Sequence, residues 1–362
     1  MARDYRFNDM SWEDFQGLPL SEKGAYFNVG RRPYHTLIAQ QFDRPVLDRM
    51  GALATKIRRI AKNKQGMIFL NGLLCHKRAM LYFSQPSSRT FLSFYAACQI
   101  LGMKAAEVRD TATSSEMKGE SAEDSVRTFS SYFDLLIMRS PKQGFAERVA
   151  WLLSHTDRPV PIINAGSGKD QHPTQALLDI YTLQRSFDRY QGIDGKTVMF
   201  VGDLARGRTV RSLAWLLTTY RDVKQYFVTA PQLQVGEDVL QQLKAAGVDY
   251  QVSDAFEELA PKADAIYMTR IQDEWDKTPG ESGTLDTARY RITADNIEIL
   301  KPSAVIMHPL PRREEIDVAV DNDPRAMYWR QVRNGMYIRV ALIATTFLVD
   351  ETIEDYYAAN LA

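Results

Sequence analysis

Cysteine is almost missing from this chain: Cys75 and Cys98 are the only two in 362 residues. Two isolated cysteines exclude a disulfide framework and a zinc knuckle, and they suit a reducing compartment such as the cytoplasm. No apolar run approaches the roughly 20 residues that a membrane-spanning helix needs. The N-terminus lacks an apolar secretory core, and Asp4, Asp9, Glu13 and Asp14 do not fit a transit peptide. Net charge of one sign is missing as well, since 45 basic residues face 45 acidic ones. No global field therefore draws the chain to nucleic acid or to an anionic membrane, and neither is expected as a partner. A local positive pocket for a small anion is not excluded by that balance. There is no internal repeat and no low-complexity tract. A dinucleotide fingerprint is absent too, because Gly202-Asp203-Leu204-Ala205-Arg206-Gly207 does not follow G-x-G-x-x-G.

The length allows two domains, each with its own core. Residues 1–34 stand apart as an N-terminal extension rich in aromatics: Tyr5, Phe7, Trp12, Phe15, Tyr26, Phe27 and Tyr34. Disordered tails are aromatic-poor, so this segment packs on something, either its own domain or a neighbouring subunit. From residue 35 to about 185, apolar runs at 79–83, 105–108, 135–138 and 160–163 alternate with helical patterns such as 89–101 and 123–132. Residues 186–195 are polar and read as a connection. A second series follows over 186–335, with strand runs at 197–201, 225–228, 250–252, 265–268 and 304–307. This alternation predicts an α/β chain with two doubly wound parallel-sheet domains. The stretch 336–348 is apolar on more than one side and should be buried. Ligands in such sheets sit at the C-terminal ends of strands.

Chemistry-bearing residues gather at those ends. Ser87-Ser88-Arg89-Thr90 follows the first strand run and opens a helix. A helix N-terminus offers free N–H groups and the positive end of the dipole, and hydroxyls plus one Arg complete a phosphate cradle. An ordinary N-cap beside an exposed Arg would read the same way. Arg139 ends the 135–138 run, as a strand terminator or an anion ligand. His172 precedes Pro173 at the start of a helical pattern, as a cap or a donor. Arg208 and Arg270 follow second-domain strands; a pair of Arg clamps suits a dicarboxylate, while either one alone fits a surface ion pair. The run Thr113-Ser114-Ser115-Glu116-Met117-Lys118-Gly119-Glu120 has the composition of a surface loop.

Six motifs in order carry a resemblance: Ser87-Ser88-Arg89-Thr90; Met138-Arg139-Ser140-Pro141; Gln171-His172-Pro173-Thr174-Gln175; Gly202 to Thr209; Met268-Thr269-Arg270-Ile271-Gln272; and Met307-His308-Pro309-Leu310-Pro311-Arg312. From about Tyr34 onward the chain resembles the aspartate/ornithine carbamoyltransferase family, and its aspartate branch in detail. The resemblance implies a carbamoyl phosphate-binding domain at 35–185, completed by a C-terminal helix at 336–362, and an aspartate-binding domain at 186–335, with the active site in the cleft between them. It implies transfer of a carbamoyl group from carbamoyl phosphate to the α-amine of L-aspartate, giving N-carbamoyl-L-aspartate and phosphate in pyrimidine synthesis. Ser87, Ser88, Arg89, Thr90, Arg139, His172 and Gln175 would bind carbamoyl phosphate. Ser114, Lys118, Arg208, Thr209, Arg270, Gln272, Pro309 and Leu310 would bind aspartate. Arg89, Thr90, Arg139, His172 and Lys118 would be catalytic. Lys118 and Ser114 would reach the site of a neighbouring subunit, which implies a homotrimer with shared sites. No cofactor and no metal is implied. The alternatives are another amino-acid substrate or a non-catalytic paralogue serving in assembly or regulation.

His308-Pro309-Leu310-Pro311, where the ornithine branch usually has His-Cys-Leu-Pro, marks the aspartate branch. Departures from the family pattern are local. Gln85 stands where most members have Glu, and Trp275 where an Arg partner of that Glu would stand, so an interdomain ion pair has been removed as a whole. Phe91 and Tyr95 replace a frequent Arg/Glu pair at i,i+4, and an aromatic pair at that spacing also supports a helix.

Overall fold

The computed structural model describes residues 7, 10–109, 120–168, 171–273 and 287–361. Contacts divide the chain into two compact units: Met1–Leu177 with Gly335–Ala362, and Leu178–Asn334.

In the first unit, helix α1 (Arg44–Ile60) starts at Asp43, whose carboxylate accepts the N–H of Val46. Its buried stripe of Val46, Leu47, Met50, Leu53, Ala54 and Ile57 follows the 3.6-residue period. Strand β1 (Arg78–Phe83) leads into α2 (Ser88–Ile100), followed by β2 (Lys104–Val108), β3 (Leu135–Ser140), α3 (Phe145–Ser154) and β4 (Ile162–Ser167). The four strands are parallel in the order β2-β1-β3-β4. The central strands are buried on both faces, which explains their unbroken apolar runs. The order reverses between β1 and β3, and that is the topological switch point of this sheet.

The described aromatics of the N-terminal extension fold onto this same unit. Phe7, Phe15 and Phe27 share a buried cluster with Val149, Leu153 and Ile162. Phe7 and Phe15 lie 5.0 Å apart, and Trp12 meets Trp151 of α3 edge-on at 5.9 Å. The Arg148 guanidinium lies over both indoles, at 5.1 and 4.9 Å. Lys23 and Glu147 form an ion pair at 3.2 Å with both side chains nearly buried.

By contacts, the two units divide within helix α4 (Pro173–Phe187), between residues 177 and 178. The second unit continues with β5 (Thr197–Val201), α5 (Arg208–Leu217), β6 (Lys224–Val228), β7 (Tyr250–Ser253), β8 (Ala265–Met268) and β9 (Val305–Met307). Its five parallel strands run in the order β9-β8-β5-β6-β7, with the switch point between β5 and β8. Phe200 and Phe227 stack across β5 and β6 at 5.2 Å, and Met199, Val201, Ile266 and Ile306 build the core beneath the opposite face.

Helix α6 (Tyr328–Thr346) and helix α7 (Asp350–Asn360) close the chain. The sequence places the start of the last buried helix at residue 336. The structure starts it at Tyr328, because the polar residues of its first turns are buried with partners: Gln331 Nε2 donates to Asp179 at 2.7 Å and Asn334 Nδ2 to Thr182 at 3.1 Å.

Candidate active site

In the first unit the predicted residues collect at the C-terminal edge of the sheet, around the β1/β3 switch point. Phe83 pairs with Arg139, and the Arg139 carbonyl accepts from the Gln85 N–H and the Ser84 hydroxyl, both at 3.3 Å. These bonds tie the turn before α2 to the end of β3. Ser87 is the N-cap residue of α2, yet its hydroxyl accepts none of the helix N–H groups. Ser88 and Arg89 are exposed, and Thr90 is buried. A helix N-terminus with hydroxyls and a guanidinium at its mouth is an anion cradle.

Arg139 is aimed by a bulge. The register between β3 and β4 shifts between Met138 and Ser140, so that Ala165 and Gly166 face the single residue Arg139. Gly166 takes φ +120° there, a backbone conformation open to glycine. Arg139 Nη1 donates to the Ala165 carbonyl at 3.1 Å. Ser167 then bridges to Gln171, which brings His172 to the same edge at the start of α4. His172 is buried, with Thr174 Oγ1 at 3.5 Å from its Nδ1, and its carbonyl accepts from the N–H of Gln175 at 3.0 Å. The structure thus places Ser87, Ser88, Arg89, Thr90, Arg139, His172 and Gln175 on one sheet edge. Ser114, Lys118 and Trp275 lie outside the described residues.

In the second unit the predicted residues flank the β5/β8 switch point. Gly202 follows β5 with φ +107°, and a Cβ there would meet the Thr269 carbonyl at 1.9 Å, so only glycine lets the two strand ends approach. Arg208 and Thr209 open α5 behind Gly207. Arg270 follows β8; its Nη1 donates to the Ile271 carbonyl at 2.8 Å, with the Asp273 carboxylate at 3.7 Å. Asp273 also receives both Nη atoms of Arg313, at 2.8 and 3.0 Å. Pro309 and Leu310 follow β9, next to β8, and are half-buried. A cavity of about 270 Å³ opens at this sheet edge, lined among others by Gly202, Thr229, Met268, Thr269 and Tyr290.

Two residues that the sequence reading left without a role hold Gln272. Asp203 is fully buried (0 % exposed). Its carboxylate accepts the N–H of Arg206 and the N–H of Gln272, both at 3.1 Å, while Arg206 Nη1 donates to the Gln272 carbonyl at 3.0 Å. Asp203 and Arg206 lie inside a quoted motif, but nothing in their spacing says that they grip the backbone of a segment some seventy residues on, past the end of β8. A third position is Glu315, whose Oε1 is 2.7 Å from His308 Nε2. Burial works to raise this carboxyl; the bonds from His308 and from the Arg313 N–H outweigh it and hold the group below the usual carboxylate range.

Each half-site therefore gathers guanidinium groups and hydrogen-bond donors at the switch point of a doubly wound sheet, a layout suited to a two-substrate α/β transferase. Residues 34–185 match the family model for the carbamoyl-P binding domain of aspartate/ornithine carbamoyltransferase, and residues 194–346 match its Asp/Orn binding domain. The chain belongs to the aspartate/ornithine carbamoyltransferase family. Among its relatives, aspartate carbamoyltransferase 1, chloroplastic, from Pisum sativum is 41% identical over 333 residues, covering 90% of this chain and 82% of that protein. The aspartate carbamoyltransferase catalytic subunit of Methanocaldococcus jannaschii is 38% identical over 290 residues, covering 80% of this chain and 90% of that one. The solved structure of Trypanosoma cruzi aspartate transcarbamoylase in complex with carbamoyl phosphate superposes with a TM-score of 0.77 at 36% identity, covering 86% of this chain and 95% of that one.

Proposed function

We propose that this chain transfers the carbamoyl group of carbamoyl phosphate to the α-amine of L-aspartate, releasing N-carbamoyl-L-aspartate and phosphate as a step of pyrimidine synthesis. The observation that carries this reading is the placement of Arg208, at the start of α5 after β5, and Arg270, just past the end of β8, beside the switch point of the second unit. Two guanidinium groups with Gln272 beside them suit two carboxylates. The first unit supplies the complementary half: the N-terminus of α2 with Ser87, Ser88, Arg89 and Thr90 for the phosphate, and Arg139, His172 and Gln175 for the carbamoyl group.

The chemistry follows from these groups. The amine attacks the carbamoyl carbon, a C–N bond forms, and negative charge grows on the carbonyl oxygen. Thr90, Arg139 and His172 donate to that oxygen. The C–O bond to phosphate then breaks, and the leaving phosphate takes the amine proton. Orientation of two bound substrates and stabilisation of the oxyanion carry the rate, so the chain needs no covalent nucleophile. The Pro309 and Leu310 carbonyls accept from the amine and direct its lone pair.

A homotrimer belongs to the same reading, with Ser114 and Lys118 completing a neighbour's site, and so does a cytoplasmic location, which the free thiols Cys75 and Cys98 suit. A product assay with carbamoyl phosphate and either aspartate or ornithine tests the activity. Carbamoyl-aspartate alone is the expected product; carbamoyl-ornithine alone would sink the assignment of the second unit. Mixing inactive Lys118→Ala and Arg139→Ala proteins tests the shared site. Activity should return on subunit exchange, and a mixture that stays inactive would mean that each chain works alone.

A further inference from the structure

We propose that His308 is a positioning residue of the aspartate half-site, acting as a neutral acceptor that fixes the Leu310 backbone. The inference rests on the reading that the Pro309 and Leu310 carbonyls hold the attacking amine. His308 is 1 % exposed and stands directly after β9. Its ring is held from both sides. Nδ1 accepts the N–H of Leu310 at 2.7 Å, and Nε2 lies 2.7 Å from Glu315 Oε1. A backbone N–H can only donate, so Nδ1 carries no proton, and the single ring proton sits on Nε2 and points at the carboxylate.

The rest of the neighbourhood enforces this arrangement. Glu315 also accepts the Arg313 N–H at 3.0 Å, which fixes the carboxylate from its own loop. The His308 N–H donates to Gln331 Oε1 at 2.9 Å, and Gln331 Nε2 donates to Asp179 at 2.7 Å. Asp179 in turn accepts the hydroxyl of Tyr267, on β8, at 2.8 Å. The backbone on which the imidazole stands is thus tied to α4, α6 and β8.

The purpose of the clamp lies two residues on. Leu310 has φ +57°, a left-handed conformation that a leucine rarely adopts and that persists only when its surroundings over-determine it. Pro309 and Pro311 have no N–H, so Leu310 carries the only amide hydrogen between residues 308 and 312. His308 Nδ1 captures that hydrogen and sets the plane of the Pro309–Leu310 peptide. The direction of the Pro309 carbonyl follows directly, because it belongs to that peptide, and that plane anchors the chain from which φ and ψ of Leu310 direct its own carbonyl.

Two substitutions separate the ring's functions. Asn places an amide oxygen where Nδ1 stands and keeps the acceptor for Leu310. Gln places an amide nitrogen where Nε2 stands and keeps the donor to Glu315, but it has nothing for the Leu310 N–H. His308→Gln should raise the aspartate KM about tenfold or more, while carbamoyl phosphate binding, measured by calorimetry, stays as in the parent. His308→Asn should stay within about threefold of the parent, well under the tenfold step. Hydrogen exchange on the peptide containing residues 308–312 gives a second readout independent of catalysis: protection of the Leu310 amide is lost in His308→Gln and kept in His308→Asn. Equal effects of the two variants on exchange and on KM would overturn the proposal. If the two differ in exchange as expected but share one aspartate KM, the clamp exists and the carbonyls do not hold the amine, which overturns the underlying reading instead. Should the histidine variants not fold, Glu315→Leu and Glu315→Gln repeat the test. The Leu variant frees the ring and should lose protection; the Gln variant keeps an acceptor and should retain it, and no difference between them would count against the clamp.

Discussion

The two units place their candidate anion ligands at the switch point of a parallel sheet by different means. In the first unit the backbone does most of the positioning. The N-terminus of α2 faces the site, and a bulge opposite Arg139 turns that side chain, which then rests on the Ala165 carbonyl. In the second unit carboxylates position the cations and the backbone between them. Asp273 sits between Arg270 and Arg313, and Asp203 grips Gln272. The difference matches the ligands proposed. A phosphate dianion is bound by aligned N–H groups and the helix dipole, which need no counter-ion. A dicarboxylate with a free amine suits guanidinium forks, and in the second unit the exposed Asp273 pairs with Arg270 and Arg313 while the buried Asp203 holds the Gln272 backbone.

Substitutions on the two sides should therefore fail differently. The largest effect is expected from Arg139→Ala, a loss of about 10²–10³ in kcat from one missing oxyanion donor, read in the carbamoyl-aspartate assay. Next, Arg270→Ala should raise the aspartate KM by about a hundredfold, the equivalent of one or two charged hydrogen bonds, while calorimetric binding of carbamoyl phosphate stays unchanged. A parallel loss of carbamoyl phosphate binding would break the division of labour between the units. Asp203→Asn should cost about tenfold in aspartate KM, since one of two gripped N–H groups loses its charged acceptor.

The smallest expected effect lies away from the site. The Arg325 guanidinium holds the Asp323 carboxyl below its ordinary value, against a smaller opposing effect of burial. A depressed folded-state pKa contributes stability that is present above the ordinary carboxylate pKa and is lost as pH falls through the folded value. Asp323→Asn should destabilise the protein by about 1 kcal/mol or less at neutral pH. The gap to the parent should close below about pH 4 in thermal unfolding, and a gap independent of pH would contradict the pairing.

Much of this architecture was legible in the sequence. The runs at 197–201 and 265–268 coincide with β5 and β8, and those at 79–83 and 225–228 fall one residue short of β1 and β6, because strands buried on both faces are apolar throughout. Phe91 and Tyr95 do pair along α2, with ring centroids 5.8 Å apart. The apolar run at 160–163 and the strand it predicts overlap only in part. β4 runs from Ile162 to Ser167, since Asn164 is buried with its side chain donating to the Leu37 carbonyl and Gly166 forms the bulge. A polar residue and a glycine end an apolar pattern on paper, yet they continue a strand when its neighbours satisfy them.

The sequence alone determined the candidate site residue types and the strand ends that carry them, because burial periodicity and helix-start chemistry are local. Only the tertiary structure decided that the residues of each half-site, from the ends of several strands, collect at one sheet edge around a switch point. It alone showed that Gly166 aims Arg139, that Asp203 holds Gln272, and that His308 captures the amide of Leu310. Those relations join residues distant in the chain through single hydrogen bonds, and a single hydrogen bond between distant residues leaves no period in a sequence.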